Sequence, residues 1–298
     1  MRSEEITAAD AGTWKLGDVT VNRMGFGSMR ITANPDREVA LAVLRRAVEL
    51  GVNHLDTAAF YVSPGGTLGV GTGPARYATE LIRAALSPYP DDIVVATKVG
   101  PGIDPDKGFY QATTPAQLRS QVEENLRRLG RDHLDLVNLR IIKKAGHDSI
   151  AERFGALAQL RDEGLIRHLG LSNVRQDHLD EAGAIAPVVC VQNPYGLDFK
   201  REEDALVRTC EERGIAYVPF FAIAGAGREA GAASGHSEAV HAVARAHGVT
   251  PHQVRLAWTL HQGRHVLAIP GTGDPKHLAD NVAAGALRFT ADELAGLG

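Results

Sequence analysis

The chain has 298 residues, of which 44% are hydrophobic and 23% are charged, as in an ordinary globular protein. Its formal net charge is −4 and it has no basic cluster, which argues against nucleic acid as a partner. No apolar run approaches membrane-spanning length, and the first residues, MRSEEITAADAG, are acidic where a signal peptide is basic and then apolar. The two cysteines, Cys190 and Cys210, give no disulfide framework. We therefore expect a cytoplasmic protein without membrane contact.

The pattern along the chain begins with a candidate β-hairpin, GTWKLGDVTVNR, and then alternates strands with helices. Amphipathic stretches such as REVALAVLRRAVEL and PAQLRSQVEENLRRL predict helices, one of which starts at Thr114-Pro115 and ends at Gly130. Short β-branched runs predict eight strands: Asn22–Met29, Val52–Asp56, Ile93–Lys98, Leu134–Arg140, Ile166–Ser172, Val188–Gln192, Ile215–Phe220 and Val266–Pro270.

Eight strand–helix units in this length favour an α/β fold, the (β/α)8 TIM barrel, preceded by the N-terminal β-hairpin. The alternative is a doubly wound open sheet, which requires a glycine-rich phosphate turn directly after its first strand. The nearest match, Gly69–Pro74, has proline at the third glycine position and lies far beyond its strand. No linker or internal repeat divides the sequence, so we predict a single domain over the whole chain.

Charged residues stand at the C-terminal ends of three successive predicted strands, where barrels carry their chemistry. Asp56 ends the second strand and is followed by Tyr61, Lys98 ends the third strand, and Arg140 ends the fourth. One such residue commonly only starts a loop or caps a turn. Together they converge on one rim, which favours a catalytic site.

Five motifs, in this order and spacing, resemble the aldo-keto reductases over essentially the whole chain from Asn22 onward: NHLDTAAFY, VVATKVG, GLSNV, VQNPY and IPGTG-x₇-N. The segments DLVNLR and IAYVPFF further resemble the bacterial pyridoxal reductases. The resemblance implies an NADPH-dependent reduction of a small-molecule carbonyl substrate, with pyridoxal as a candidate. It also implies that Tyr61 is the general acid and that Lys98 and Asp56 are its partners.

Physical chemistry supports this arrangement of a phenol, an ammonium and a carboxylate. An isolated phenol titrates near ~10 and is a poor proton donor at neutral pH. An ammonium about 4 Å away stabilises the phenolate by roughly 4 kcal/mol at an effective dielectric constant of ~20. Asp56 would keep the buried Lys98 charged and oriented. The alternative is that Lys98 extends past the strand end into solvent.

Arg140 departs from the family, most of whose members have histidine at the end of the fourth strand. We expect its guanidinium to hydrogen-bond the substrate carbonyl oxygen and to stabilise developing negative charge there. It would also favour a substrate with an anionic oxygen near the carbonyl, such as the phenolate of pyridoxal. The alternative is that Arg140 pairs with a local carboxylate and only shapes the rim.

The resemblance implies cofactor contacts at the same rim. Ser172, Asn173 and Gln192 would bind the nicotinamide carboxamide, and Phe220 would stack on the ring where relatives usually have tyrosine. Phe220 is otherwise an ordinary core residue. Small residues of the first strand would let its backbone approach the ribose. This part of the cofactor-binding set is Gly25, Gly27, Ser28 and Met29.

After the eighth strand, the IPGTG motif and the following helix resemble the loop that binds the 2′-phosphate of NADPH. Relatives often have lysine and arginine where this chain has Gly271 and His277, and Asp274 adds a negative charge. The helix N-terminus and nearby side chains would still bind a phosphate. We expect NADPH, with NADH less favoured. The contacts at this loop would come from Gly271, Thr272, Lys276 and His277, and Asn281 matches an asparagine that contacts the adenine in relatives.

Two glycine-rich segments bear on access to the site. The insertion Ser63–Ala75 is either a mobile flap or a tolerated surface loop, and Gly225–Gly235 would close over the pyrophosphate. Twelve histidines suggest a metal, but His261 and His265 lack a third ligand at a recognisable spacing, so we expect none. Two other functions stay open, an NAD-dependent alcohol or sugar dehydrogenase and a nucleotide-sensing binding protein.

Overall fold

The computed structural model describes residues 5–66, 73–104, 108–142, 148–198, 201–223 and 235–298. The helices are α1 Arg37–Glu49, α2 Ala78–Leu86, α3 Pro115–Leu129, α4 Ala151–Asp162, α5 Gln176–Ile185, α6 Asp204–Glu212, α7 Glu238–His247, α8 Pro251–His261, α9 Pro275–Ala283 and α10 Ala291–Leu297. The strands are β1 Thr13–Leu16, β2 Val19–Asn22, β3 Phe26–Gly27, β4 His54–Asp56, β5 Val62–Ser63, β6 Arg76–Tyr77, β7 Val94–Val99, β8 Pro101–Asp104, β9 Gly108–Gln111, β10 Leu134–Arg140, β11 Ile166–Ser172, β12 Val188–Gln192 and β13 Ala216–Tyr217.

A parallel sheet with the strand order β3, β4, β7, β10, β11, β12, β13 forms most of a barrel wall. The segment around Val266 and Ala268 closes the wall, because parallel bridges join Val266 to Tyr217 of β13 and Ala268 to Met24 before β3. The predicted (β/α)8 barrel and its N-terminal hairpin are therefore confirmed.

The barrel strands on either side of this closing seam are shorter than predicted. The first strand is reduced to β3, with Met29 already in a 3-10 turn, and Val266–Pro270 forms only isolated bridges. The backbones approach very closely there: a Cβ at Gly27 would lie 2.6 Å from the carbonyl oxygen of Ile269. The seam is held by separate hydrogen bonds instead, such as Gly25 N to Ala268 O at 2.8 Å.

The N-terminal hairpin, β1 paired antiparallel with β2, covers the end of the barrel opposite the strand C-termini. Leu16 and Val21 of the hairpin are buried in an apolar cluster with inward-facing strand residues such as Val94, Leu136 and Leu267. A second, larger apolar cluster lies between the strands and the surrounding helices. The interior is thus filled by apolar side chains at the hairpin end of the barrel, and the polar side chains lie at the end where the strands have their C-termini.

Helix α3 begins and ends at the capping residues that the sequence predicts. Thr114 accepts a hydrogen bond from Gln117 N at 3.3 Å, and Gly130 ends the helix in the left-handed region at φ 65°. Among the described residues, no helix is long and apolar enough to cross a membrane.

The two glycine-rich segments are only partly described. The insertion Ser63–Ala75 leaves the barrel between β5 and β6, which pair antiparallel, so its base is a short hairpin. Residues 67–72 of the insertion, and with them most of the Gly69–Pro74 match, lie outside the described residues. The same holds for Gly225–Gly235 except its last residue.

Candidate active site

Lys98 and Asp56 form a buried ion pair at the C-terminal end of the barrel. Asp56 ends β4 and lies opposite Ala96 of the neighbouring strand β7, and Lys98 follows two residues later on the same face. The Lys98 Nζ atom lies 2.7 Å from each Asp56 carboxylate oxygen and donates to the Thr57 carbonyl oxygen at 3.0 Å. Lys98 is 2% exposed and Asp56 is 3% exposed, so Lys98 does not extend into solvent.

The surroundings of Lys98 keep its ammonium charged. Burial alone would lower the pKa of Lys98, but the Asp56 carboxylate and Tyr61 outweigh it and raise the pKa above its usual value. The cation is compensated rather than isolated in the barrel, as a buried charge requires.

Tyr61 lies beside this pair, at the start of the hairpin that leaves β4. Its backbone N–H donates to Ala58 O at 3.0 Å, and its carbonyl accepts from Ala78 N at 2.9 Å. The Lys98 Nζ atom lies 4.8 Å from the centroid of the Tyr61 ring. The structure thus brings together the carboxylate, the ammonium and the phenol that the sequence singles out.

Gln192, at the end of β12, is hydrogen-bonded to the ion pair from across the barrel. Its Nε2 donates to Asp56 Oδ1 at 2.8 Å, and Gln192 is 1% exposed. A carboxylate can only accept, which fixes the amide with its nitrogen toward Asp56. Gln192 Oε1 is buried without a hydrogen-bond partner among the described residues. The sequence predicts a cofactor contact for Gln192 but gives no sign of its bond to Asp56.

Arg140 ends β10 on the same rim and is half-buried. Its Nη1 donates to Ser172 Oγ at 3.1 Å, and its guanidinium carbon lies 4.7 Å from the centroid of the Phe220 ring. Within the described ranges, no carboxylate forms an ion pair with Arg140. The alternative in which a local carboxylate holds this arginine therefore finds no support among those residues.

Gln111 of β9 holds the backbone on both sides of Arg140, a role that the sequence does not suggest. Its Nε2 donates to Arg140 O at 3.3 Å, and its Oε1 accepts from Ile142 N at 2.8 Å. Asn173, in the left-handed region at φ 57°, donates from Nδ2 to Ile141 O at 2.6 Å. The Asn173 amide nitrogen is thus engaged with the backbone that follows Arg140.

The backbone directly after β3 lies against Asp56. Ser28 N donates to Asp56 O at 2.9 Å, and Ser28 Oγ is buried without a hydrogen-bond partner among the described residues. Gly27 N donates to Pro270 O at 3.2 Å, so Gly27 lies beside the loop of Gly271. Met29 begins the 3-10 turn that continues this backbone.

At the predicted 2′-phosphate loop, Asp274 caps helix α9. Its Oδ1 accepts from Lys276 N at 2.7 Å and from His277 N at 3.4 Å, and these bonds lower the pKa of the Asp274 carboxyl. The N–H groups expected to bind a phosphate are therefore already engaged, which leaves this role to side chains. Thr272 and Asn281 are buried in the same loop and helix.

The two histidines considered as metal ligands bind different partners. His261 Nδ1 pairs with Ala257 O at 2.7 Å, whereas His265 Nε2 pairs with Val207 O at 3.0 Å. In the described part of the chain, no group of three or more metal-ligating side chains is arranged to hold an ion.

A barrel with this buried lysine–aspartate pair and adjacent tyrosine is the arrangement of a carbonyl oxidoreductase. The sequence model of the Aldo/keto reductase family matches residues 23–297, and the chain belongs to this family. It is 40% identical to pyridoxine 4-dehydrogenase of Escherichia coli, over 96% of this chain and 97% of that protein. It is 35% identical to an uncharacterized oxidoreductase of Schizosaccharomyces pombe, over 99% of this chain and 92% of that protein.

Solved structures agree with the family assignment. An aldo-keto reductase from Klebsiella pneumoniae in complex with NADPH has a TM-score of 0.76 and 27% identity, covering 93% of this chain and 90% of that one. The family uses nicotinamide cofactors. The rim offers polar groups that fit one: Ser28 Oγ and Gln192 Oε1 are buried without a hydrogen-bond partner among the described residues, and these residues and Asn173 stand at strand ends of the same sheet.

Proposed function

We propose that the protein is an NADPH-dependent reductase of aldehydes and ketones in which Tyr61 gives a proton to the carbonyl oxygen. The observation that carries the proposal is the buried pair of Lys98 and Asp56, with the ammonium nitrogen 4.8 Å from the centroid of the Tyr61 ring. The nicotinamide cofactor, when bound, supplies the reducing equivalent for the carbonyl carbon.

The charge arrangement makes Tyr61 a competent proton donor. Loss of the phenolic proton leaves a phenolate, and the Lys98 ammonium stabilises that negative charge where solvent screening is weak. Asp56 holds the ammonium with both oxygens, so Lys98 cannot turn away or lose its proton at neutral pH. Gln192 restrains Asp56 from the opposite side of the barrel.

Arg140 has the role that histidine has in most relatives. Its guanidinium is permanently charged and lies at the rim, bonded to Ser172 and free of an ion pair among the described residues. Aimed at the carbonyl oxygen, it stabilises the negative charge that develops as the carbonyl is reduced. A cation at this position favours substrates with a second, anionic oxygen next to the carbonyl.

Pyridoxal is the substrate that fits this chemistry best. It has an aldehyde and an adjacent phenolic oxygen, which match Tyr61 and Arg140 in turn. The 40% identity to a pyridoxine 4-dehydrogenase supports the same pair of compounds, because oxidation of pyridoxine is the reverse of pyridoxal reduction. Fold likeness alone would not support a substrate.

NADPH is the proposed cofactor, and the positive side chains of Lys276 and His277 would bind its 2′-phosphate. The Klebsiella pneumoniae relative in complex with NADPH supports this choice. Asp274 weakens the preference for NADPH, since its carboxylate caps the same helix and places a negative charge near the proposed phosphate. The preference for NADPH over NADH is therefore expected to be modest.

The test is NADPH consumption with pyridoxal by the wild type and by Tyr61→Phe. Tyr89→Phe is the matched control, since it also removes one phenol oxygen. Tyr89 follows helix α2, and its hydroxyl donates to Leu129 O at the end of α3. We expect turnover in the wild type and the control, and loss in Tyr61→Phe with NADPH binding retained. Full turnover by Tyr61→Phe would refute the role of Tyr61.

The same assay separates the substrates and the direction. No turnover of pyridoxal by a wild type that binds NADPH would refute the pyridoxal assignment and leave a reductase of other carbonyls. Faster turnover of pyridoxine with NAD⁺ than of pyridoxal with NADPH would instead support the dehydrogenase alternative.

A further inference from the structure

The 2′-phosphate loop is connected to Tyr61 by hydrogen bonds and one short stretch of backbone, through residues that have no role in the reaction described above. The two ends belong to distant parts of the sequence, Gly273 after the closing strand and Tyr61 after β4. The connecting residues are Asn34, just before helix α1, and Arg76, on the returning strand β6 of the hairpin that begins after Tyr61.

The first connection joins the loop to Asn34. Asn34 Nδ2 donates to Gly273 O at 2.9 Å, and a Cβ at Gly273 would lie only 3.2 Å from that nitrogen. The Asn34 side-chain oxygen accepts from Asp36 N at 3.0 Å, which fixes which way the amide points. Gly273 lies between Thr272 and Asp274, so Asn34 holds the middle of the loop.

The second connection joins Asn34 to Arg76. The Arg76 guanidinium donates from Nη1 to Asn34 O and from Nη2 to Pro35 O, the latter at 3.0 Å. Among the described residues, Arg76 forms no ion pair with a carboxylate. Its guanidinium thus donates charge-assisted hydrogen bonds to two successive backbone carbonyls, and these bonds hold β6 against the segment that contains Asn34.

The third connection joins Arg76 to Tyr61. Arg76 pairs with Ser63 and Tyr77 pairs with Val62 in the antiparallel hairpin. The next residue, Ala78, donates from its backbone N–H to Tyr61 O at 2.9 Å. The strand that Arg76 anchors therefore leads directly into Ala78, the residue that holds the Tyr61 backbone.

We propose that Asn34 and Arg76 are positioning residues that link occupancy of the 2′-phosphate loop to the placement of Tyr61. A 2′-phosphate that orders Thr272 to Asp274 also orders Asn34, and through Arg76 the hairpin that carries Tyr61. This inference rests on the proposed function, and it adds that the 2′-phosphate affects the proton donor as well as cofactor affinity.

Hydrogen exchange with adenosine 2′,5′-bisphosphate as the probe tests the link, because this fragment has no nicotinamide and cannot contact Tyr61 through one. In the wild type we expect slower exchange both at 271–281 and at 76–80, by about threefold or more at the second segment. In Arg76→Met, which keeps the length of the side chain but removes its donors, we expect the slower exchange at 271–281 alone.

Arg37→Met is the control, since Arg37 lies on α1 nearby and, in the described part of the chain, pairs with Glu38 on the surface. It should behave as the wild type does. Equal protection of 76–80 in Arg76→Met, or no protection there in a wild type protected at 271–281, would overturn the link. No protection at 271–281 either would overturn the placement of the cofactor phosphate and the link with it.

Turnover gives a second readout. In the wild type we expect a higher kcat with NADPH than with NADH, and in Arg76→Met or Asn34→Ala we expect this kcat ratio to fall toward one. The double variant should show no further fall, because both changes break one series of contacts. Additive losses would contradict the link, whereas full activity of Tyr61→Phe would instead contradict the proposed function.

Discussion

Gln192 and Asp56, which are 136 positions apart, share a hydrogen bond of 2.8 Å inside the barrel. The bond makes Asp56 the common acceptor of an amide from β12 and of the Lys98 ammonium from β7. The placement of the cation beside Tyr61 therefore depends on a strand on the far side of the rim. Gln192 Oε1 is buried and has no hydrogen-bond partner among the described residues.

The first prediction concerns Gln192→Glu. Two carboxylates sharing one site cannot both ionise, so one of them has a strongly raised pKa. At low pH the protonated Glu can still donate to Asp56, and activity should be retained. As pH rises through that raised pKa, the second charge repels Asp56 and activity should fall. The measurement is the pH profile of kcat.

The control for this profile is Gln192→Met, which removes the amide without adding a titrating group. It should lower kcat about evenly across the pH range. If Gln192→Glu shows the wild-type profile, Gln192 and Asp56 are not coupled in the working enzyme.

A second prediction concerns the stability of the buried pair. Lys98→Met leaves the Asp56 charge buried and uncompensated, which should cost about 3–5 kcal/mol of unfolding free energy. Adding Asp56→Asn removes that charge, so the double variant should recover most of the loss. Activity should stay lost in both, since neither has a cation beside Tyr61. Urea unfolding and NADPH turnover on the same samples would check this, and a double variant no more stable than Lys98→Met would contradict it.

A third prediction concerns Arg140→His, which restores the residue usual in the family. A hydrogen bond between charged groups contributes about 1.5–3 kcal/mol. We therefore expect kcat/KM for pyridoxal to fall by roughly 10- to 100-fold. Pyridine-4-carbaldehyde lacks the phenolic oxygen and should lose much less. An equal loss for both aldehydes would show that Arg140 acts on the carbonyl alone.

Strands with a regular pattern were predictable to the residue, whereas the barrel seam was not. Leu134–Arg140, Ile166–Ser172 and Val188–Gln192 have the predicted bounds, because each is a short run rich in apolar residues that ends in a polar one. The bonds between Gly25 and Ala268 join segments too distant in sequence for any local pattern to indicate them.

In the candidate site, too, some residues were predictable from the sequence and others were not. Asp56, Lys98 and Arg140 were predictable because a parallel barrel gathers its strand ends on one rim. The partners that orient them, Gln192 on Asp56 and Gln111 around Arg140, depend on which side chains reach across a rim of particular width. Sequence position gives no measure of that reach.

A fourth prediction concerns Asp274→Ser. Serine keeps an N-cap acceptor for helix α9 but removes the negative charge near the proposed 2′-phosphate. KM for NADPH should fall about three- to fivefold at low salt, and less at high salt because the interaction is screened. KM for NADH, which has no 2′-phosphate, should change little. Equal changes for both cofactors would place the phosphate away from this loop.

The last prediction concerns Arg23, whose side chain fastens the closing seam of the barrel. Its guanidinium donates to Val266 O at 3.0 Å, Ala11 O at 3.1 Å and Gly263 O at 2.7 Å. Burial, together with the nearby cations Arg288 and Arg264, lowers the pKa of Arg23 to about 10. Among the residues that the structure describes, the cation is thus held by backbone carbonyls rather than by a carboxylate.

Arg23→Met would leave these carbonyls without their donor. Each buried acceptor left unpaired costs about 1–3 kcal/mol, so the unfolding free energy should fall by roughly 3 kcal/mol or more. Arg37→Met, an exposed arginine paired with Glu38, should change it by less than about 0.5 kcal/mol. Urea unfolding of the two variants and the wild type measures these free energies. If they prove equally stable, the seam is held by the backbone bonds of Gly25 and Ala268 without help from this side chain.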